Sequence, residues 1–212
     1  MIPPPIQKML AQGEGINLDF KQTVSSAAKI AKTMVSFANT RGGTLLVGVR
    51  DNKSISGVHS EDEKYMLDLA ANFFCKPELN IDIQEWNAEG KTILQVVVPE
   101  GTHKPYYSKD ENGKWWVYVR AEDKSLLASK TTVDFLHHQR SEIRQPVEFG
   151  KIEKGILEYI HLHGKITLPE VCKKFNIGRR RASRILVNLM SLDVVRSHTT
   201  EKMEYYTGIN PQ

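Results

Sequence analysis

The sequence predicts an α+β protein: a mixed sheet with about three helices over residues 1–145, then a small module of helices and a hairpin over residues 148–212. Three observations carry this. Hydrophobic spacing switches between a period of two and a helical period along the first two thirds of the chain. Beyond Gln145-Pro146-Val147-Glu148-Phe149-Gly150 the order becomes helix, helix, helix, hairpin. The charge also divides at that point. Residues 1–145 hold 18 Lys/Arg against 18 Asp/Glu, and residues 146–212 hold 11 against 7, so the net +4 belongs to the last third.

Taking the elements in order, Pro3-Pro4-Pro5 marks the first dozen residues as an extended arm, because proline fixes the backbone and donates no hydrogen bond. Ile16–Lys21 alternates as a half-buried strand, with Asp19 and Lys21 on its polar face. Ala27, Ile30, Ala31, Met34, Val35 and Ala38 place a helix at about Ser25–Ala38, which Arg41-Gly42-Gly43 turns into an apolar strand, Thr44–Val49. A turn at Asp51–Ser54 leads to a short strand, Ile55–Gly57. Ser60-Glu61-Asp62-Glu63 reads as a capping box opening a helix to about Phe74. Ile81–Trp86 and Thr92–Val98 form one hairpin, and Tyr106–Tyr107 with Trp115–Arg120 form another. A last helix, Thr132–Glu142, closes the first domain, which sums to about five strands.

Composition narrows the function classes. No run approaches the roughly 18 apolar residues of a membrane span, and MIPPPIQKML lacks the features of a signal peptide, so a cytoplasmic protein is expected. Cys75 and Cys172 stand far apart with no CxxC, the pattern of two reduced thiols.

In the last third, Ile152, Ile156, Leu157 and Ile160 line a helix that stops at His163-Gly164. Thr167-Leu168-Pro169-Glu170 is a second capping box. Asn176-Ile177-Gly178 is a turn, Arg179–Leu192 a third helix, and Val194–Arg196 with Glu204–Thr207 a hairpin. This order resembles a winged helix-turn-helix, in which the third helix enters the DNA major groove by its N-terminal turn. That turn carries Arg179, Arg180 and Arg181, with Ser183, Arg184 and Asn188 further along and Lys202 in the wing. Arginine bonds guanine or phosphate bidentately. Three cations at a helix N-terminus oppose the macrodipole, which an anionic partner explains better than helix stability does. A solvated basic face on a protein–protein module is the plainer alternative.

In the first domain, Phe37-Ala38-Asn39-Thr40-Arg41-Gly42-Gly43-Thr44-Leu45-Leu46-Val47-Gly48-Val49-Arg50-Asp51 is the most distinctive string. Together with Glu14–Lys21, His103–Tyr106 and Tyr118–Arg120, in that order over residues 10–130, it resembles the Schlafen AlbA_2 domain. This chain has Asp19-Phe20-Lys21 where the family has Glu-Phe-Lys. The resemblance implies a predicted transcriptional regulator, a winged helix following the domain, and nucleic acid, above all DNA, as partner. It also implies an alternative, a metal-dependent endonuclease of RNA or DNA. Carried over residue by residue, its carboxylates fall on Glu14, Asp19 and Asp51, which would need Mg²⁺ or Mn²⁺. The "ATPase" label attached to the family finds no GxxxxGK[ST] and no GxGxxG in this chain.

Lys21, Arg41, Gly42 and Gly43 are candidate phosphate contacts, against the plain reading that the glycines permit a tight turn. The histidines make no firm metal set, and no other cofactor is expected. Trp115-Trp116 is a candidate for base stacking, but strand alternation predicts that one of the two is core, leaving one free. Three functions remain open: a non-enzymatic DNA-binding regulator, most naturally a homodimer reading paired half-sites, a metal-dependent nuclease, or an interaction protein whose basic helix meets a partner protein.

Overall fold

The structure, a computed structural model, describes residues 1–139 and 150–209, with the side chain of Ser60 excepted. The chain divides into two compact units, Met1–Leu127 and Ala128–Gln212. The expected linker residues 145–149, and residues 140–142 of the expected last helix of the first domain, lie outside the described residues.

The first unit is α+β with mixed strand pairing. Helix α1 (Pro4–Gln12) replaces the expected extended arm. Pro4 and Pro5 occupy the first helical turn, where the missing N–H costs nothing. Ile6 and Leu10, four apart, then bury against Leu18, Phe20, Leu46, Val49 and Ile93. Strand β1 (Leu18–Lys21) pairs in parallel with β2 (Gly43–Val47), and helix α2 (Ala27–Ala38) makes the crossover. Ser26 caps α2 by accepting from the Lys29 N–H. Nine of the twelve α2 residues are buried, so this helix is a core element rather than a half-solvated one.

Helix α3 (Ser60–Phe73) runs as expected. His59 sits at the cap, and the Glu63 carboxylate accepts from the Thr23 hydroxyl. Strands β4 (Asp82–Ala88) and β5 (Lys91–Val98) turn through Glu89-Gly90, both at positive φ as a tight hairpin needs, and complete a sheet of order β1-β2-β5-β4. A second sheet, of order β3-β6-β7-β8, joins β3 (Cys75–Lys76), β6 (Tyr107–Lys109), β7 (Trp115–Ala121) and β8 (Lys124–Leu127). The sequence pattern does not mark β3 and β8, which are short, and the expected strand at Ile55–Gly57 is a single bridge to Val49.

In the second unit, α4 (Lys130–Gln139) belongs with the C-terminal helices, not with the sheet domain to which sequence order assigns it. The Thr131 hydroxyl bonds Ser183, the Thr132 hydroxyl bonds Glu204, and Phe135 packs on the core of the second unit. Helices α5 (Lys151–His163), α6 (Leu168–Phe175) and α7 (Arg179–Ser191) precede the antiparallel pair β9 (Val195–Thr199) and β10 (Glu204–Gly208). Gly164, at φ 80°, ends α5. The Thr167/Glu170 capping box is formed on α6, and Asn176 in the left-handed region ends it. Tyr206 is fully buried, bridges Ile166 through its backbone, and donates its hydroxyl to Glu204. Among the described residues no helix is long and apolar enough to cross a membrane.

Candidate nucleic-acid interface

Helix α7 owes its orientation to its apolar positions. Ala182, Ile185, Leu186, Val187, Leu189 and Met190 are buried. At about 100° per residue they span a wide arc, leaving a narrower polar one. That free arc holds Arg180, Arg181, Arg184 and, half-buried, Asn188. Arg179 is exposed as well, because it stands in the first turn. No ion pair among the described residues uses any of the four arginines. Gly178 caps the helix without a side chain, its carbonyl accepting from the N–H groups of Arg181 and Ala182. Lys202 is exposed in the turn between β9 and β10.

Ser183 lies outside this stripe. Its hydroxyl is half-buried and 2.9 Å from that of Thr131, so α4 occupies the face on which a DNA contact was expected. The sequence signal for this is weak: α4 precedes the expected linker and carries no mark of the helix it packs on.

In the first unit, two of the carboxylates expected to share a metal have partners within the fold. Asp19 is only 4% exposed. It pairs with Arg120 at 2.8 Å and with Lys21. Glu14 accepts the Phe20 N–H at 2.8 Å, and Asp51 lies exposed in a turn. Among the described residues no three His, Cys, Asp or Glu side chains are grouped so as to hold a metal ion. The expected half-exposed polar strand face is corrected at Asp19, which is buried, while Lys21 is half-buried.

Arg120 is the residue that sequence reasoning passes over. Its guanidinium is buried over the Phe37 ring and donates to the carbonyls of Gly15 and Leu18 as well as to Asp19. Its partner lies 101 residues away, so no local spacing reveals the pair. Asn39 is similar: it is buried, donates to the Tyr106 and Tyr118 carbonyls and accepts the Tyr106 N–H, joining the end of α2 to the residue before β6 and to β7.

Of the four candidate phosphate contacts, three are engaged in the fold. Lys21 is tied to Asp19 and to the Phe20 carbonyl. Gly42, at φ 70°, gives its N–H to Phe37, and a Cβ there would stand 2.8 Å from the Val98 carbonyl. A Cβ on Gly43 would meet the Phe37 ring at 2.5 Å. The two glycines therefore serve close packing of the turn. Arg41 is exposed. Cys75 is buried, which pushes its thiol up to about 12 and leaves it unreactive.

The family model described as "Schlafen, AlbA_2" matches residues 14–129. Among solved structures, the DIP2311 protein from Corynebacterium diphtheriae is similar, at 15% identity and TM-score 0.48, over 76% of this chain and 34% of that one. The N-terminal domain of a RecG-related protein from Nitrosomonas europaea is similar at 23% identity and TM-score 0.43, over 68% of this chain and 94% of that one. This chain thus spans about a third of the length of the DIP2311 protein. The comparison with curated proteins found no match.

Proposed function

The chain belongs to the Schlafen AlbA_2 family, whose domain is associated with nucleic-acid binding, and from that premise we propose that it is a DNA-binding transcriptional regulator whose C-terminal unit is a winged helix-turn-helix. The observation that carries this reading is the arginine stripe on α7. Arg180, Arg181 and Arg184 face solvent on one arc of a helix whose remaining faces are packed, and no acidic side chain pairs with them among the described residues.

A recognition helix needs that arrangement: a rigid back and a cationic front, presented from the N-terminal half. Asn188 extends the front by one turn, Arg179 adds a cation at the entry, and Lys202 in the hairpin reaches backbone phosphate. The regulator works in the cytoplasm as a homodimer, which doubles the arginine stripe over paired half-sites. It needs no cofactor. Asp19, committed to Arg120, is a structural carboxylate in this reading, so catalysis by Glu14, Asp19 and Asp51 with Mg²⁺ or Mn²⁺ is not part of it.

The test is binding to random duplex DNA by fluorescence anisotropy between 50 and 300 mM salt. Affinity falls steeply with salt, and the double variant Arg180→Ala/Arg184→Ala flattens the log–log slope by about 1.8, or roughly 0.9 for each phosphate no longer neutralised. Binding that is absent at low salt, or a slope unchanged in the variant, overturns the proposal.

A further inference from the structure

We propose that the end of the β6–β7 ribbon is a second nucleic-acid site, which takes unpaired bases by stacking them on Trp115 and Trp116. It lies in Met1–Leu127, uses aromatic planes rather than arginines, and does not rest on the reading of α7.

Both indoles are exposed, Trp115 at 40% and Trp116 at 38%. Strand alternation predicts that one of them is core. The core of β7 begins instead at Val117, so the ribbon runs past the packed region and carries both rings into solvent. Register places Trp115 opposite Lys109 and Trp116 opposite Ser108. Consecutive strand residues point to opposite faces, and the ribbon end therefore bears one indole on each side.

The rings are also held. The Trp116 Nε1–H donates to Asp110 at 2.8 Å, and Asp110 in turn accepts the N–H groups of Asn112 and Lys114. The indole hydrogen bond, first, and these backbone bonds hold the Asp110 carboxyl below its ordinary range. Lys109 stands over the Trp115 ring, 5.9 Å from its centroid. An exposed tryptophan fixed by a turn loses little rotamer freedom when something flat covers it.

Charge selects what that is. Lys109 and Lys114 flank the rings, and Lys76 is on the neighbouring strand, paired with Tyr107. Of the two acids in the turn, Asp110 is ionised with its oxygens turned to the hydrogen bonds above, and Glu111 is exposed at the tip, so Lys76, Lys109 and Lys114 outnumber the acids three to two. A planar, apolar ligand with a negative backbone suits this setting, and unpaired nucleotides have that chemistry. Every base offers a π-face, so the site tolerates sequence. A base on each side of the ribbon end requires a single strand whose neighbours are splayed, which a stacked duplex does not offer.

The experiment is a tryptophan fluorescence titration of the full chain with a 12-mer of thymidylate at low salt, beside an abasic 12-mer with the same phosphates. The third tryptophan, Trp86, is half-buried and bonded to Gln95, and supplies a constant background. Thymidylate quenches saturably and the abasic strand does not. Trp115→Ala or Trp116→Ala weakens binding by roughly 5- to 150-fold, the range of one lost base stack. Trp115→Phe keeps most of the affinity, which separates stacking from a folding defect.

Equal quenching by the abasic strand, or unchanged affinity in both alanine variants, overturns the proposal. So does self-association in sedimentation that Trp115→Ala abolishes while thymidylate binding stays the same, because the indoles then serve a protein interface. The Arg180→Ala/Arg184→Ala variant retains the quenching, so failure of the duplex-binding reading and failure of this one are read separately.

Discussion

The two units use their cations in opposite ways. In Met1–Leu127, 15 Lys/Arg face 16 Asp/Glu, and the arginine at the centre, Arg120, is buried over Phe37 with Asp19 as its partner. In Ala128–Gln212, 14 Lys/Arg face 9 Asp/Glu, and Arg180, Arg181 and Arg184 stand on the outside of α7 with no ion pair among the described residues. A guanidinium inside a protein needs all its donors met, so its energetic role is internal. One on a rigid helix face keeps its donors for whatever arrives. The same residue type thus holds one unit together and leaves the other open to a polyanion.

The largest effect that sharpens this contrast is the loss of the buried pair. Asp19→Ala leaves the buried Arg120 without its carboxylate and destabilises the first unit by about 3–5 kcal/mol in urea unfolding, whereas Arg120→Met leaves Asp19 paired with Lys21 and costs less. Arg184→Ala, by contrast, leaves unfolding within about 0.5 kcal/mol of the parent, as exposed positions do. If Asp19→Ala unfolds like the parent, the carboxylate is not structural and the contrast fails.

A smaller effect concerns how α6 is held ahead of α7. The Thr167 hydroxyl, first, and the Thr167 N–H hold the Glu170 carboxyl below its ordinary range. Thr167→Ala costs the second unit about 1 kcal/mol in thermal unfolding and leaves the first unit's transition in place. Equal loss in both transitions breaks the division into two units.

The smallest is a pH effect in the hairpin. Burial, and after it the nearby Arg196, lower the His198 pKa from 6.5. The neutral ring is therefore the form the fold prefers. Its contribution is complete above pH 6.5 and is lost as the pH falls below that value toward the depressed folded pKa. Stability of the second unit declines over that interval, and His198→Gln removes the decline while the first unit stays flat. A parent whose second unit shows no such decline counts against it.

Legibility from sequence tracks the range of the interaction. The Thr167/Glu170 box, the stop at Gly164 and the β4–β5 hairpin are set within a few residues, and all are present. Pro3-Pro4-Pro5 misleads when the prolines are read without Ile6 and Leu10, whose i, i+4 pair makes a helix starting on proline worth burying. Local spacing gives no sign that Glu63 accepts from Thr23, 40 residues before it. For Trp115 and Trp116, alternation alone assumes that the strand is covered along its whole length, and it is not.

The α+β class, the membership in the AlbA_2 family and the arginine run at the start of α7 are readable along the chain, because they depend on composition, short spacing and local backbone chemistry. That Asp19 pairs with Arg120, that Ser183 is covered by α4 and that both tryptophans reach solvent emerge from packing. Each of these turns on which surfaces meet across 50 to 100 residues of chain, or on where the core ends. Burial is a property of the packed whole, and a linear pattern contains the candidates for it but not the outcome.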